Sequence, residues 1–214
     1  MGSRSLRADA ALNRCKILDA ARELFAQEGL DVSMRQIALR AGVGEPTLRR
    51  RFASKEELIS EVFSDKVALY ADKAERALEA ADAWDGFTTF VCRIARMQLG
   101  DRGFTEVLTM TFPASMTTET QRRRAYQAIT AMIDRAKEQG ALRADFSPED
   151  IVLLLMAHAG VVAAAGEVAP AFSARLLEYL SEAFAAPGTR TLPPAPSPAK
   201  TYRALLRLHR APTP

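Results

Sequence analysis

The chain has 214 residues, 48% of them hydrophobic, which is enough for a packed core and excludes a disordered chain. The formal net charge of +3 is unevenly spread: residues 61–186 carry 18 Asp/Glu against 13 Lys/Arg, whereas residues 187–214 carry 5 Lys/Arg and no acid. An acidic body with a mildly basic front and a basic tail confines any nucleic-acid contact to the ends. Two cysteines, Cys15 and Cys92, in no metal-like spacing read as free thiols of a reducing compartment. No apolar run reaches the ~20 residues of a membrane span, and no signal peptide opens the chain, so a cytoplasmic protein with no membrane partner is expected.

Leucine and alanine dominate and alternating β-branched stretches are scarce, which predicts an all-α fold. The first ten residues are polar and read as a mobile arm. From about Ala10 a helix places Ile17, Ala21, Leu24 and Phe25 on one face and stops at Gly29. Ser33 and Gln36 form a capping-box pair before a second, short helix. The turn Gly42-Val43-Gly44 follows, then a third short helix from Glu45 to Phe52 with Pro46 in its first turn. Ser54 and Glu57 cap a long fourth helix running to about Ala80.

A fifth helix over 84–99 carries Phe87, Phe90, Val91, Ile94 and Met97 on one side. Gly100 and Gly103 bracket a turn, and residues 104–112 form a short apolar helix ended by Pro113. A seventh helix runs from Thr118 to Gln139. Ser147-Pro148-Glu149-Asp150 combines a cap residue, a first-turn proline and early acids, three separate reasons for a helix start. The helix it opens, 148–165, is apolar all round and must be covered on more than one side. A ninth helix over 171–185 precedes a Pro-rich linker, 187–198, and a basic amphipathic segment, 200–210. The expected organisation is therefore about nine helices in three parts: 1–53, 54–186, and a linker with tail, 187–214.

Three helices with a glycine turn between the second and third form a helix-turn-helix plan, in which the third helix enters the major groove of DNA. At ~100° per residue, Leu48 and Phe52 mark a buried face and Arg50 points away from it, toward a base edge. Arg49 and Arg51 flank it where phosphates would lie, and Thr47 sits on the same outer half.

Arg14 to Ala21 with Leu24-Phe25 and Gly29, Ser33 to Ala38, Ala41 to Gly44, Thr47-Leu48, Phe52 and Ser54 to Leu58 together resemble the DNA-binding domain of tetracycline-repressor-type (TetR-family) regulators. The resemblance covers residues 14–63, about a quarter of the chain. It implies that Ser33 binds a phosphate, that Arg35 contacts a base, and that Thr47 and Lys55 clamp phosphates on either side of the recognition helix. Two positions depart from the family. Arg49 stands where a tyrosine is usual, exchanging a phenol for a full charge toward phosphate. Glu45-Pro46 replaces a small or basic residue and glycine; Glu45 repels phosphate but can accept from a cytosine amino group. These departures bear on the operator sequence.

The resemblance further implies a ligand cavity among the middle helices and a dimer interface from the last two. The second expectation has its own support, because Ala157, Ala159, Gly160, Ala163 and Ala164 allow close helix approach. Leu155, Ala159, Val162, Leu176 and Leu180 are the candidate interface residues. Adaptable methionines and large aromatics suggest an apolar pocket lined by Phe87, Phe90, Met97, Met110, Phe112, Tyr126 and Met132, although each of these is also a plausible core residue. His158, a lone polar ring on an apolar helix, reads as a satisfied core or interface histidine. No nucleophile elbow, phosphate loop, dinucleotide fingerprint or metal cluster is present, so neither a catalytic residue, a metal nor a cofactor is expected. The implied function is a homodimeric repressor that leaves a palindromic double-stranded DNA operator on binding a small apolar effector. The alternative is a DNA-binding protein that is ligand-independent or controlled by cysteine oxidation.

Overall fold

The computed structural model describes residues 2–109, 116–188 and 190–208, and side chains over 11–108, 119–188 and 190–204. The fold is all-α among these residues: α1 (Gly2–Glu28), α2 (Met34–Ala41), α3 (Glu45–Arg51), α4 (Lys55–Leu78), α5 (Ala83–Leu99), α6 (Arg102–Thr109), α7 (Met116–Glu138), α8 (Pro148–Ala165), α9 (Ala169–Phe184) and α10 (Pro198–Leu208). Among the described residues nine α-helices precede the linker, as expected. Helix α1 starts at Gly2 rather than near Ala10, since neither glycine nor proline interrupts the chain from Ser3 to Glu28.

Local chemistry sets the helix ends. Ser33 Oγ accepts from Gln36 N at 3.2 Å while Gln36 Oε1 accepts from Ser33 N at 2.9 Å, the reciprocal box read from the sequence. Gly42 ends α2 at φ 65°, with Val43 N donating to Ala38 O at 3.0 Å and Gly42 N to Leu39 O at 3.2 Å. This 6→1 and 5→2 pair closes the helix and needs the left-handed residue at its centre. At the start of α4 the box is shifted. Ser54 Oγ accepts from Glu57 N at 3.1 Å, but the Glu57 carboxylate reaches Ala53 N, at 2.7 Å.

Two apolar cores share the long helix α4. The first joins Ile17, Ala21 and Phe25 of α1, Ile37 of α2, Leu48 and Phe52 of the recognition unit, and Leu58, Val62, Phe63 and Val67 of α4; it also takes in Phe104 and Val107 of α6. The second gathers Phe87, Phe90, Ile94, Met132, Ile133, Phe146, Leu154 and Leu155. The DNA-binding core thus extends past residue 53 and into the body. Gly103 permits this: a Cβ there would lie 2.8 Å from Phe25 O and 2.9 Å from the Phe63 ring.

The most extensive helix packing is between α4 and α7. Polar clamps reinforce it. Arg124 pairs with Asp72 at 3.0 Å and Glu75 at 2.6 Å, and Arg135 caps the end of α4 by donating to Leu78 O and, at 3.0 Å, to Ala81 O. The segment Pro148–Phe184 has the hydropathy of a membrane span. It is nevertheless two helices that turn at Gly166 and pack on one another.

The linker is held at its start. Arg143, itself buried, donates to Ala183 O at 3.1 Å and Arg190 O at 2.7 Å, and Asp145 accepts from Leu192 N at 2.9 Å. The Arg143 guanidinium and the Leu192 N–H hold the Asp145 carboxyl down at about 2. The tail segment read as a basic amphipathic helix is α10, and it packs on α8.

Candidate nucleic-acid interface and inner cavity

Helices α2 and α3 present one outer surface. Leu48 and Phe52 are fully buried, which turns Arg49, Arg50 and Arg51 to solvent. Arg50 Nε donates to Pro46 O at 3.2 Å, and Arg49 pairs with Glu45 at 2.9 Å one turn back. That ion pair partly offsets the Glu45 charge. Thr47, in the first turn of α3, and Lys55, the first residue of α4, are half-buried, and Ser33 and Arg35 are exposed at the start of α2. The Ser33 hydroxyl already donates to Gln36 Oε1, at 2.7 Å. All eight residues singled out on the sequence therefore lie on or beside these two helices. Arg14, on α1, packs 5.5 Å over the Phe52 ring and pairs with Glu61, locking the end of α3 against α1 and α4.

The body contains a cavity of about 640 Å³ bounded by α4, α6, α7, α8 and α10, a volume within the range of small-molecule sites. Its wall includes Val67, Tyr70, Val107, Ile129, Ile151 and Leu155. Of the seven residues expected to line a pocket, Tyr126 does so. Phe87, Phe90 and Met132 do not, being at most 1% exposed in the second core. Phe87 stands edge-on to Phe146 and Phe184, with centroids at 5.4 and 6.2 Å, and Phe90 packs on Tyr70 at 5.8 Å. Met97 bridges the two cores, and Met110 and Phe112 lie outside the described residues. For Phe87, Phe90 and Met132 the helical spacing is that of a core face, and it is the core they fill.

The same helical period rearranges the last two helices. Leu155 points inward, 3% exposed, and lines the cavity, not the outer face. Ala159, Val162, Leu176 and Leu180 are half-buried, Leu180 against the second core. The outer face instead carries Leu153, Ala157, Gly160 and Ala164 on α8 and Phe172 and Tyr179 on α9. Leu153, Phe172 and Tyr179 are 58, 57 and 60% exposed, an apolar surface presented to water.

His158 is fully buried and fully bonded. Gln98 Nε2 donates to Leu155 O at 3.2 Å, so its Oε1 accepts from His158 Nδ1–H at 2.7 Å, and His158 Nε2 accepts from the Ser173 hydroxyl at 2.7 Å. This chain of bonds ties α5, α8 and α9 together, and burial pushes the imidazole's pKa down. Cys15 is exposed and Cys92 half-buried, its thiol pushed up chiefly by burial, which lowers its thiolate fraction.

Sequence reasoning missed Glu106. Its carboxylate accepts from Leu30 N at 2.7 Å, across the boundary between body and DNA-binding helices. Neighbouring Val107 belongs both to the first core and to the cavity wall. Only the apolar pattern of the short helix before Pro113 hinted at the importance of α6.

A glycine-turned pair of short helices with three outward arginines, mounted on a helical body with its own cavity, is the build of a one-component transcriptional regulator rather than an enzyme. Comparison with known proteins agrees. Residues 17–62 match the bacterial regulatory proteins of the tetR family, and residues 82–182 match the C-terminal domain described as transcriptional regulator SbtR-like. The chain belongs to the TetR family of DNA-binding transcriptional regulators. Its fold is similar to that of the TetR transcriptional regulator SCO0520 from Streptomyces coelicolor, at 27% identity and TM-score 0.50, over 83% of this chain and 99% of that one. It also resembles the regulator FadR from Bacillus subtilis in complex with stearoyl-CoA, at 18% identity and TM-score 0.55, over 78% and 97% of the two chains. A SmeT–triclosan complex is similar at 21% identity and TM-score 0.52, over 87% and 98%. No curated protein matches the chain.

Proposed function

We propose that the protein is a ligand-responsive repressor, acting in the cytoplasm as a homodimer, that releases a palindromic operator when a small molecule enters the cavity. The observation that carries this reading is the position of α6. Val107 and Leu108 line the cavity, while Phe104 is packed in the DNA-binding core and Glu106 bonds Leu30 N. A ligand pressing on Val107 therefore acts on a helix already bonded to the turn between α1 and α2. Ligand stabilises a body shape in which α4 and α6 are displaced, and two recognition helices then lose register with successive major grooves about 34–36 Å apart.

The exposed apolar face of α8 and α9 supports the two-fold partner, since a palindrome needs two recognition helices and none of the described residues covers this face. Similar folds with bound stearoyl-CoA and triclosan support a small-molecule effector. Selection of bound DNA from a random pool should return a two-fold symmetric site. Compounds that raise the melting temperature should release that site, and operator should weaken their binding by the same factor. Ligands that bind in the cavity yet leave operator affinity unchanged would overturn the reading.

A further inference from the structure

One wall of the cavity is held differently from the others. Helices α4, α6, α7 and α8 belong to the two apolar cores, and α4 and α7 are further clamped by Arg124 and Arg135. The remaining wall is Pro198, Thr201 and Tyr202 of α10, a segment beyond residue 182, where the matched C-terminal family domain ends. The last hydrogen bond between tail and body runs from Leu192 N to Asp145, at 2.9 Å. Over 193–204 the hydrogen bonds among the described residues stay within the tail. Lys200 N and Thr201 N donate to Ser197 O, and Arg203 Nε donates to Ala199 O. Residues 191–197 have no regular structure, and 191–200 are exposed throughout.

Packing alone therefore keeps α10 in place. An isolated helix of 11 residues is marginal in water, so α10 persists because of what lies under it, and that is α8 and the cavity. Tyr202 on α10 and Tyr126 on α7 both line the cavity, yet each is more than half exposed, so both rings stand where the cavity meets solvent. A molecule bound there would cover them and add to the surface that holds α10. Exposed segments with few contacts have the lowest opening free energies in a fold. Pro193, Pro194 and Pro196 stiffen the tether, which keeps an undocked α10 within reach of the opening.

Resting on the reading of this cavity as the effector site, we infer that α10 is its lid. The tail completes the site from the same chain, leaves its place to admit the effector, and closes over it with the Tyr202 ring. The Arg143–Asp145 anchor at residues 190–192 stays fixed while α10 moves.

The test uses N-phenyl-1-naphthylamine, an uncharged apolar fluorophore that brightens on leaving water. Truncation after Pro196 removes α10 and keeps the anchors at Arg190 and Leu192. Stopped-flow dissociation of the fluorophore should be about tenfold faster from this variant and from full-length Tyr202→Ala than from the unmutated protein. Tyr202→Phe, which keeps the ring, should match the unmutated protein. Melting of the unliganded variants establishes that they fold. In the unmutated full-length chain, trypsin reaches Lys200 and Arg203 when α10 undocks. Fluorophore at ten times its Kd should slow those two cuts about tenfold. Dissociation unchanged by either the truncation or Tyr202→Ala, Tyr202→Phe as fast as Tyr202→Ala, or cuts that the fluorophore leaves as fast would overturn the inference. Ile129→Trp, which fills the cavity, separates the two readings. Fluorophore binding that it abolishes, but that ignores the loss of α10, overturns the lid and leaves the cavity reading standing. Binding that survives Ile129→Trp, or no binding to the unmutated protein, overturns both.

Discussion

The Glu106 carboxylate and the Leu30 backbone N–H meet at 2.7 Å, 76 residues apart in the chain, and join α6 to the turn that leads into α2. Glu106→Ala leaves a part-buried N–H without its acceptor, at a cost of ~1–3 kcal/mol. Urea unfolding should show that loss. In operator-binding assays the same variant should respond less to effector while Glu106→Gln, which keeps an acceptor oxygen, should respond nearly normally. Equal responses from Glu106→Ala and the unmutated protein would remove α6 from the signalling route.

Arg50 projects opposite the buried Leu48 and Phe52, and we propose that it contacts a base edge. Arg50→Ala should cost ~1–3 kcal/mol at the selected operator and relax preference at one position per half-site. Lys55→Ala should weaken binding to all sequences alike and reduce the salt dependence. An unchanged sequence preference in Arg50→Ala would reassign the reading residue.

The exposed face of α8 and α9 should be the two-fold interface. Phe172→Glu introduces a charge where an apolar side chain is 57% exposed in the single chain. Sedimentation should show a monomer, and binding to the palindrome should fall while binding to a half-site persists. A monomeric unmutated protein would refute the interface.

His158 makes stability pH-dependent. It is neutral in the folded protein with its pKa lowered by burial, whereas the unfolded chain takes up a proton below about 6.5. Its contribution is present above that pH and is lost as pH falls from about 6.5 toward the lower folded value. Chemical denaturation between pH 8 and pH 5 should therefore show a decline in the unmutated protein that is shallower in His158→Gln. Parallel curves would place the acid sensitivity in other groups.

Truncation after Ala186 should lower the melting temperature by several degrees. It removes Arg190 O and Leu192 N, partners of the Arg143–Asp145 pair, together with the packing of α10 on α8. An unchanged melting temperature would mean that the tail is dispensable to the body.

The DNA-binding helices were legible in the sequence because their signals are local. The Ser33–Gln36 cap, the Gly42 turn and the Leu48/Phe52 face are each fixed within four residues. The cavity was not legible, because it arises where α4, α7, α8 and α10 diverge, and no spacing along one helix reports that. Phe87, Phe90 and Met132 show the limit: a helical stripe of large side chains has the same pattern whether it fills a core or lines a void. Leu155 shows another, since an all-apolar helix has no polar residue to reveal which face is inward. The docking of the linker depends on Arg143 meeting carbonyls 40 and 47 residues away, which composition does not encode.

Because Phe104 and Val107 are packed with Phe25, Phe63 and Val67, the reading head and the body have no clean seam. An engineered hybrid that joined a foreign DNA-binding unit at residue 53 would cut through one continuous core. It would set alien side chains against Gly103, where even a methyl group meets Phe25 O at 2.8 Å. A working hybrid should need α6 and the first half of α4 along with the graft, which would make the transplantable unit discontinuous in sequence.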